Sequence, residues 1–364
     1  MKITVLGAGN GAHAIAGDMA LRGHEVRLWE NPGFAKNIEN LLQNNNKFVL
    51  KGEVNGEAKL SIVTTDPEKA VRGADIIYCV MPSFGQESAF DYVAPFIEKG
   101  QRILIMPGNL GSLSLYIRLK KRGIADDVLL GESDTIPYAT RLQPDKSSLV
   151  FGLKDSMWVS AIPACSTDDL IRGLAGGFPI SFNKLPDVIS VALANTNMIL
   201  HCPTMIMNAG RIENGERFRF YNDGMTESVC CVMEAMDKER LAVGKAWGYD
   251  LVTEYEDAIS NYNLDRTKYK DMHEIFANHP VYGNHGPDSP GSMKFRYLSE
   301  DVPFLLIPLS EMGRLVNVPT PTVDSVIRLA EVIGQADYRK SGRGIRAVGL
   351  GDYSFKEIKS LVQG

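Results

Sequence analysis

Val5-Leu6-Gly7-Ala8-Gly9-Asn10-Gly11-Ala12-His13-Ala14 is the stretch that decides the fold. A short apolar run, Ile3 to Leu6, enters a G-x-G-x-x-A turn, and a helical pattern from Gly11 to Arg22 follows until Gly23 stops it. The first glycine permits a tight turn, and the second lets backbone approach a pyrophosphate. A small third residue, Ala12, lets the helix pack closely on the strand, with its N-terminus facing the phosphates. Glu30 ends the next apolar run, 23 residues after Gly7. An acidic group there accepts hydrogen bonds from ribose hydroxyls and repels a 2′-phosphate. Gly7, Gly9, Asn10, Gly11, Ala12 and Glu30 are therefore the expected dinucleotide contacts, with NAD preferred and NADP the alternative. The competing reading is a turn that only reverses the chain, with Glu30 in solvent.

Outward from the turn, Glu25–Trp29, Asp75–Cys79 and Arg102–Met106 read as further strands, alternating with helices such as 11–22 and 111–122. Alternation of this kind predicts parallel strands joined by crossover helices, a Rossmann-type doubly wound sheet. Ser148–Gly152 and Trp158–Ile162 are expected to join the same sheet. Met81 and Pro82, and Pro107 with Gly108 and Asn109, come directly after two of the strands at their C-terminal ends. Cofactor contact and ordinary loop chemistry explain them equally well. From Pro186 onward the pattern turns helical. Met225, Val229, Val232, Met233, Met236 and Val243 recur at helical steps, and Thr320-Pro321 reads as a cap followed by a first-turn proline. The expected architecture is α/β: a dinucleotide-binding domain over 1–185 and an all-α domain over 186–364. Asn278–Gly291 reads as a loop.

Composition narrows the function. Against 39 Lys+Arg stand 44 Asp+Glu, a net charge of −5, which removes the basic excess that non-specific nucleic-acid binding needs. The basic run Arg118-Leu119-Lys120-Lys121-Arg122 suits the C-terminal end of a helix. No apolar stretch approaches the ~18 residues of a membrane span, and the N-terminus lacks the hydrophobic region and cleavage site of a signal peptide. The five cysteines form no C-x-x-C pair, so reduced thiols and a cytoplasmic protein are expected, with Cys230 and Cys231 as packing residues. His273, His279 and His285 are six apart, which is not a metal-binding face, and no metal is expected. Methionine-rich helical faces suit either core packing or a homodimer surface.

His201 differs from the other histidines. The segment Asn195–Pro203 places polar residues among apolar ones, and Asn208 and Arg211 lie shortly beyond it. Asn197, His201, Asn208 and Arg211 would share one face if a helix ran through Pro203, which is expected to kink or interrupt it. Such buried polar groups need partners, either a ligand or the protein itself. Arg296-Tyr297-Leu298-Ser299-Glu300-Asp301-Val302-Pro303 is the second polar cluster. Ser299 or Asp301 capping a helix would explain its acids.

Through these segments the sequence resembles the octopine/nopaline dehydrogenase family, nearest to its bacterial N-(carboxyethyl)-norvaline dehydrogenase branch. The likeness runs from Val5–Ala14 through Asn195–Glu213 to Arg296–Pro321. It implies a nucleotide-binding domain followed by a helical domain of the 6-phosphogluconate dehydrogenase C-terminal type. It also implies that an amino acid and a 2-oxo acid are condensed and the imine reduced by a nicotinamide hydride. On the matching positions the catalytic histidine falls on His201, its aspartate on Asp301 and a carboxylate-binding arginine on Arg296. Asn197 and Asn208 would complete the polar wall. A 2-hydroxy-acid or sugar-acid dehydrogenase of the same two-domain group, and a non-catalytic NAD sensor, are the competing functions.

Overall fold

The computed structural model describes residues 1–174, 177–283 and 287–364. His285 lies outside the described residues. They divide into two compact units, one of Met1–Ala192 with the last residues Ser360–Gly364, the other Leu193–Lys359. The division falls inside the helix Val188–Ala194 rather than at the expected 185/186 boundary, and the chain end returns to the first unit.

The strands are β1 (Lys2–Leu6), β2 (Glu25–Trp29), β3 (Lys47–Gly52), β4 (Gly56–Lys59), β5 (Ile62–Thr64), β6 (Ile76–Cys79), β7 (Arg102–Ile105), β8 (Leu129–Ser133), β9 (Tyr138–Leu142), β10 (Ser148–Leu153), β11 (Ser156–Ile162) and β12 (Ser181–Lys184). Eight of them form the main sheet in the order β12-β11-β8-β7-β6-β1-β2-β5. From β8 to β5 every neighbouring pair is parallel, whereas β11 runs antiparallel to β8. Burial explains the parallel core: β6 is covered on both faces throughout, as crossover helices require. The chain leaves β1 toward β2 on one side and returns to β6 on the other. Leu6 pairs with both Trp29 and Cys79, so Gly7, Glu30 and Val80 emerge together at the switch point where such sheets bind ligands.

Ser148–Gly152 corrects an expectation. β10 belongs to a second, mixed sheet, β4-β3-β10-β9, not to the main one. Its apolar residues face both ways, Val150 inward and Phe151 43% exposed, which a central parallel strand would not allow. This small sheet covers helix α1 (Asn10–Leu21), leaving α1 buried on two sides. A Cβ at Gly17 would stand 2.3 Å from Leu50 Cδ1, so the close approach of β3 needs glycine there. Helices α2 (Ser83–Val93) and α3 (Gly111–Lys121) come after β6 and β7. The basic run is the end of α3, where Arg118 pairs with Glu87 and Asp91 and Arg122 donates to backbone carbonyls.

The second unit is helical; it includes α4 (Asn197–Met207) and α6 (Arg296–Ser299), which carry site residues, and α5 (Glu227–Ala246) and α7 (Pro321–Gly334). The expected apolar face of α5 is buried at Val229, Met233, Met236 and Val243. Cys230 packs inside, while Cys231 is exposed and is not a packing residue. Thr320 makes no capping bond to the start of α7. The Glu239 carboxylate accepts from the Thr322 and Val323 N–H groups instead, at 2.8 and 2.9 Å. Capping bonds contribute about 1 kcal/mol. Glu239→Ala should therefore lower the stability of this unit by about 1–2 kcal/mol, and Thr320→Val, which removes only a long 3.4 Å hydroxyl bond to Asp324, should cost less, about 0.5 kcal/mol. Urea unfolding midpoints of the two variants check this, and equal losses would contradict it.

Candidate active site

The glycine turn has the shape its sequence suggests. Gly7 adopts φ +104°, and a Cβ on it would lie 2.5 Å from the Val80 carbonyl oxygen of the neighbouring strand's exit. Gly9 has open space where its side chain would be. Gly11 is tight against Ile136 and Val80, and Ala12 is buried. Gly9 caps α1 without any side-chain bond, so the first N–H groups of the helix keep their donors for an anion. Glu30 is buried at the end of β2. Its Oε2 accepts from Ala8 N (3.2 Å) and Asn37 Nδ2 (2.9 Å), and its Oε1 from Asn31 N (2.8 Å). That uses three of the roughly four acceptor positions of a carboxylate and leaves one on Oε1 for a hydroxyl. An open cradle, uncapped helical donors and one acceptor fit the pyrophosphate and ribose of NAD. Asn10 turns away, its Oδ1 accepting from Leu142 N at 2.8 Å. Met81, Pro82 and Pro107 are half-buried after β6 and β7, and the Pro107 carbonyl accepts from Gln86.

In the second unit, α4 runs through Pro203 as one continuous helix, so of the expected kink or interruption the interruption does not occur. The proline costs one backbone bond, but the helix is buried from Met198 to Met205, and packing keeps its course. His201 sits on this buried stretch. Its Nδ1 is 2.6 Å from Asp301 Oδ2, and its Nε2 is 2.7 Å from the Tyr221 hydroxyl. An ionised carboxylate only accepts, so the Nδ1 proton belongs on the Asp301 side and Nε2 is the lone pair that accepts from Tyr221. Tyr297 stacks on the imidazole at 3.8 Å between centroids and 19° between planes. Asp301 makes no capping bond, so the helix-cap explanation does not hold. It stands at the entry of a π-helical turn, Val302–Leu306, that carries Pro303. Turns of this type often mark functional positions.

Cys202 is buried beside this pair, and its thiol donates to the Tyr297 carbonyl at 3.4 Å. Burial, then the Asp301 charge, pushes that thiol well above its ordinary range, so it stays protonated. Arg296 opens α6 next to Tyr297, with 59% of its side chain exposed and Nη1 3.9 Å from Glu300 Oε2. Asn197 is half-buried at the start of α4, one turn before His201. The Asn208 amide is fully engaged: it donates to the carbonyls of Thr204 and Gly224, both at 2.9 Å, and accepts from Arg211 at 3.1 Å. The structure thus joins His201 to Asp301, keeps Arg296 on the helix that stacks against them, and ties Asn208 to the turn at Gly224.

Sequence reasoning missed Tyr221 and Tyr297 on the histidine, and Glu132 in the first unit. Glu132 is buried on β8 and accepts from Leu110 N, Ser112 N and Ser112 Oγ at the start of α3. A charged residue inside the run Leu129-Leu130-Gly131-Glu132-Ser133 was the available signal. Among the described residues no group of three acids, histidines or cysteines could hold a metal, and no helix is long and apolar enough to cross a membrane.

A switch-point glycine turn followed by a helical unit with a buried histidine–aspartate pair defines a nicotinamide-dependent dehydrogenase. Comparison with known proteins extends this. Residues 2–108 match the NAD-dependent glycerol-3-phosphate dehydrogenase N-terminus, and 184–333 match the NAD/NADP octopine/nopaline dehydrogenase alpha-helical domain. Opine dehydrogenase of Arthrobacter sp. (strain 1C) is 31% identical over 99% of this chain and 98% of its own. Protein ocs of Agrobacterium tumefaciens (strain Ach5) is 28% identical over 100% and 99%. A solved structure of octopine dehydrogenase with NADH and L-arginine superposes with TM-score 0.80 at 22% identity, covering 100% of this chain and 98% of that one. The chain belongs to the octopine/nopaline dehydrogenase family. It is an NAD-dependent oxidoreductase acting on CH–NH bonds, coupling an amino acid to a 2-oxo acid by reductive condensation.

Glu30 gives this assignment a measurable consequence. Replacing the carboxylate by Gln removes the charge that repels a 2′-phosphate. The ratio of kcat/KM for NADH over NADPH should fall by about tenfold in Glu30→Gln. An unchanged ratio would mean that Glu30 serves only the glycine turn.

Proposed function

We propose that His201 transfers the protons of the condensation, Asp301 orients and charges it, and Arg296 holds a substrate carboxylate. The 2.6 Å bond between His201 and Asp301, made by two buried side chains a hundred residues apart, is the observation that carries the reading. Condensation of an amine with an oxo acid gives a carbinolamine that must lose water. That step needs a group able to give and take a proton near neutral pH, which imidazole does. A carboxylate on Nδ1 fixes the tautomer, aims Nε2 and stabilises the imidazolium. The exposed Arg296 fork can take a carboxylate through two parallel bonds and set the reacting carbon in place. Its charge acts on Tyr221, easing loss of the phenol proton against the stronger opposing effect of burial. Asn197, on the histidine's helix, adds an amide for the second reactant, while Asn208 braces the turn at Gly224 in place of the substrate contact expected for it.

NADH, held by Gly7, Gly9, the α1 N-terminus and Glu30, supplies the hydride that reduces the imine. Met81, Pro82 and Pro107 are proposed to border its nicotinamide half, and NADP is the poorer cofactor because of Glu30. Five cysteines, all unpaired, support work in a reducing cytoplasm.

The test is NADH oxidation across pairings of pyruvate and related oxo acids with the common amino acids. Activity should need both partners. Oxidation of a simple hydroxy acid without an amine would favour the hydroxy-acid alternative, and cofactor binding without turnover would favour a sensor. His201→Ala should lower kcat by about 10²–10⁴-fold, and normal turnover would refute the proton-transfer role. Arg296→Lys should raise the KM of the carboxylate substrate by about tenfold, because an ammonium cannot reproduce the fork. Unchanged oxo-acid saturation would remove Arg296 from substrate binding.

A further inference from the structure

We propose that the Tyr221 hydroxyl, not the imidazole itself, touches the reacting substrate oxygen and relays protons between it and His201. The inference rests on the proton-transfer role of His201 and goes beyond it.

Both nitrogens of His201 are engaged, Nδ1 by Asp301 at 2.6 Å and Nε2 by Tyr221 at 2.7 Å. One ring face is covered by Tyr297. A substrate reaching Nε2 directly would have to displace Tyr221, and the packing opposes that. The phenol ring meets Phe220 edge-on at 5.3 Å and 87°, lies against Tyr282 at 4.8 Å and stacks toward Phe276 at 6.2 Å. Tyr221 as a whole is 8% exposed. The Tyr221 hydroxyl also meets the Tyr297 side chain, and with one proton and two acceptor positions it can receive a proton from Nε2–H while turning its own toward a third atom. The geometry therefore extends the histidine by one hydroxyl without moving the ring.

In the dehydration step, protonated His201 gives its Nε2 proton to Tyr221 Oη while the Oη proton passes to the carbinolamine hydroxyl. The C–O bond breaks with its electron pair leaving on water, and the nitrogen lone pair closes the C=N bond. His201 ends neutral and Tyr221 unchanged. Burial, reinforced by Tyr297 and Tyr282, pushes the Tyr221 phenol well above its ordinary range. It therefore passes protons as a neutral hydroxyl rather than resting as a phenolate.

Tyr221→Phe keeps the ring and removes the relay. Tyr282→Phe is the control: its hydroxyl meets Tyr262 at 2.5 Å in the same aromatic cluster, with no bond to His201. In the full-length protein with its best substrate pair, Tyr221→Phe should lower kcat by about 10–100-fold. KM for both reactants and NADH binding should hold, and the solvent deuterium isotope effect on kcat should rise. Tyr282→Phe should stay within about twofold of wild type. A Tyr221→Phe rate at or above wild type, a change confined to KM, or an equal loss in Tyr282→Phe would each overturn the relay. If Tyr221→Phe does not fold, 3-fluorotyrosine at position 221 preserves the packing and acidifies the phenol. A shifted kcat then supports the relay and an unshifted one refutes it. Wild-type inactivity with every substrate pair would instead defeat the reading of His201 on which the relay rests, whereas an active wild type with an unimpaired Tyr221→Phe defeats only the relay.

Discussion

A carboxylate–imidazole bond between Asp301 and His201 is the constraint on which the helical unit's chemistry depends. Its two ends come from segments a hundred residues apart, each carrying a proline within or just inside a helical turn. α4 carries Pro203 inside a buried helix, and Asp301 enters a π-turn with Pro303 at its start. Both side chains are almost out of water, where a charge-assisted bond is stronger and an unpaired partner costs more. Neither residue keeps a reason to be there without the other. The same arrangement places Tyr297 over the ring, and Cys202 donates to the Tyr297 carbonyl beside it.

Some helix starts in the molecule are closed by carboxylates from far along the chain. Glu132 closes the N-terminus of α3 and Glu239 that of α7, each a carboxylate from a distant strand or helix taking up exposed N–H groups. These are internal examples of what an anion does at a helix start. α1 has no such side chain, and beside it Gly9 leaves space rather than contact. What sets α1 apart is its place: its open N-terminus follows the glycine turn at the switch point, and Glu30 stands at the adjoining strand end with one acceptor position unused.

Chemistry that is local in the chain is legible in its sequence. The glycine turn can be read because its backbone demands fall on six consecutive residues, and β1, β2, β6 and β7 because each is a short apolar run between clear stops. Ser148–Gly152 resembles another such run, but its two-sided exposure is decided by which sheet receives it, a non-local fact. The acids at 300 and 301 fit a capping motif that uses the same residue types as a catalytic pair, so only three-dimensional contact separates the two. Thr320 misleads for the same reason, since a glutamate about 80 positions earlier performs the task. Tyr221 is hidden for another reason: Arg217–Phe220 alternates polar and apolar residues as a strand would but forms an isolated bridge from Arg219 to Asp288, and the Tyr221 hydroxyl acquires meaning only where His201 Nε2 meets it.

Rigidity of the histidine has a source further back along the chain. Arg240 of α5 is buried, bonded to Asp237, and donates to the carbonyls of Leu193 and Val252. Glu254 donates its backbone N–H to Asp237, and its carboxyl is drawn to Thr196, the residue just before α4. Burial, reinforced by Asp257, pushes the Glu254 carboxyl well above the ordinary carboxylate range. A buried network of this kind is costly to leave half satisfied, so it fixes the start of α4 more firmly than apolar packing alone would. The imidazole one turn further on inherits that fixed position, which is what transferring a proton over 2.7 Å requires of its donor.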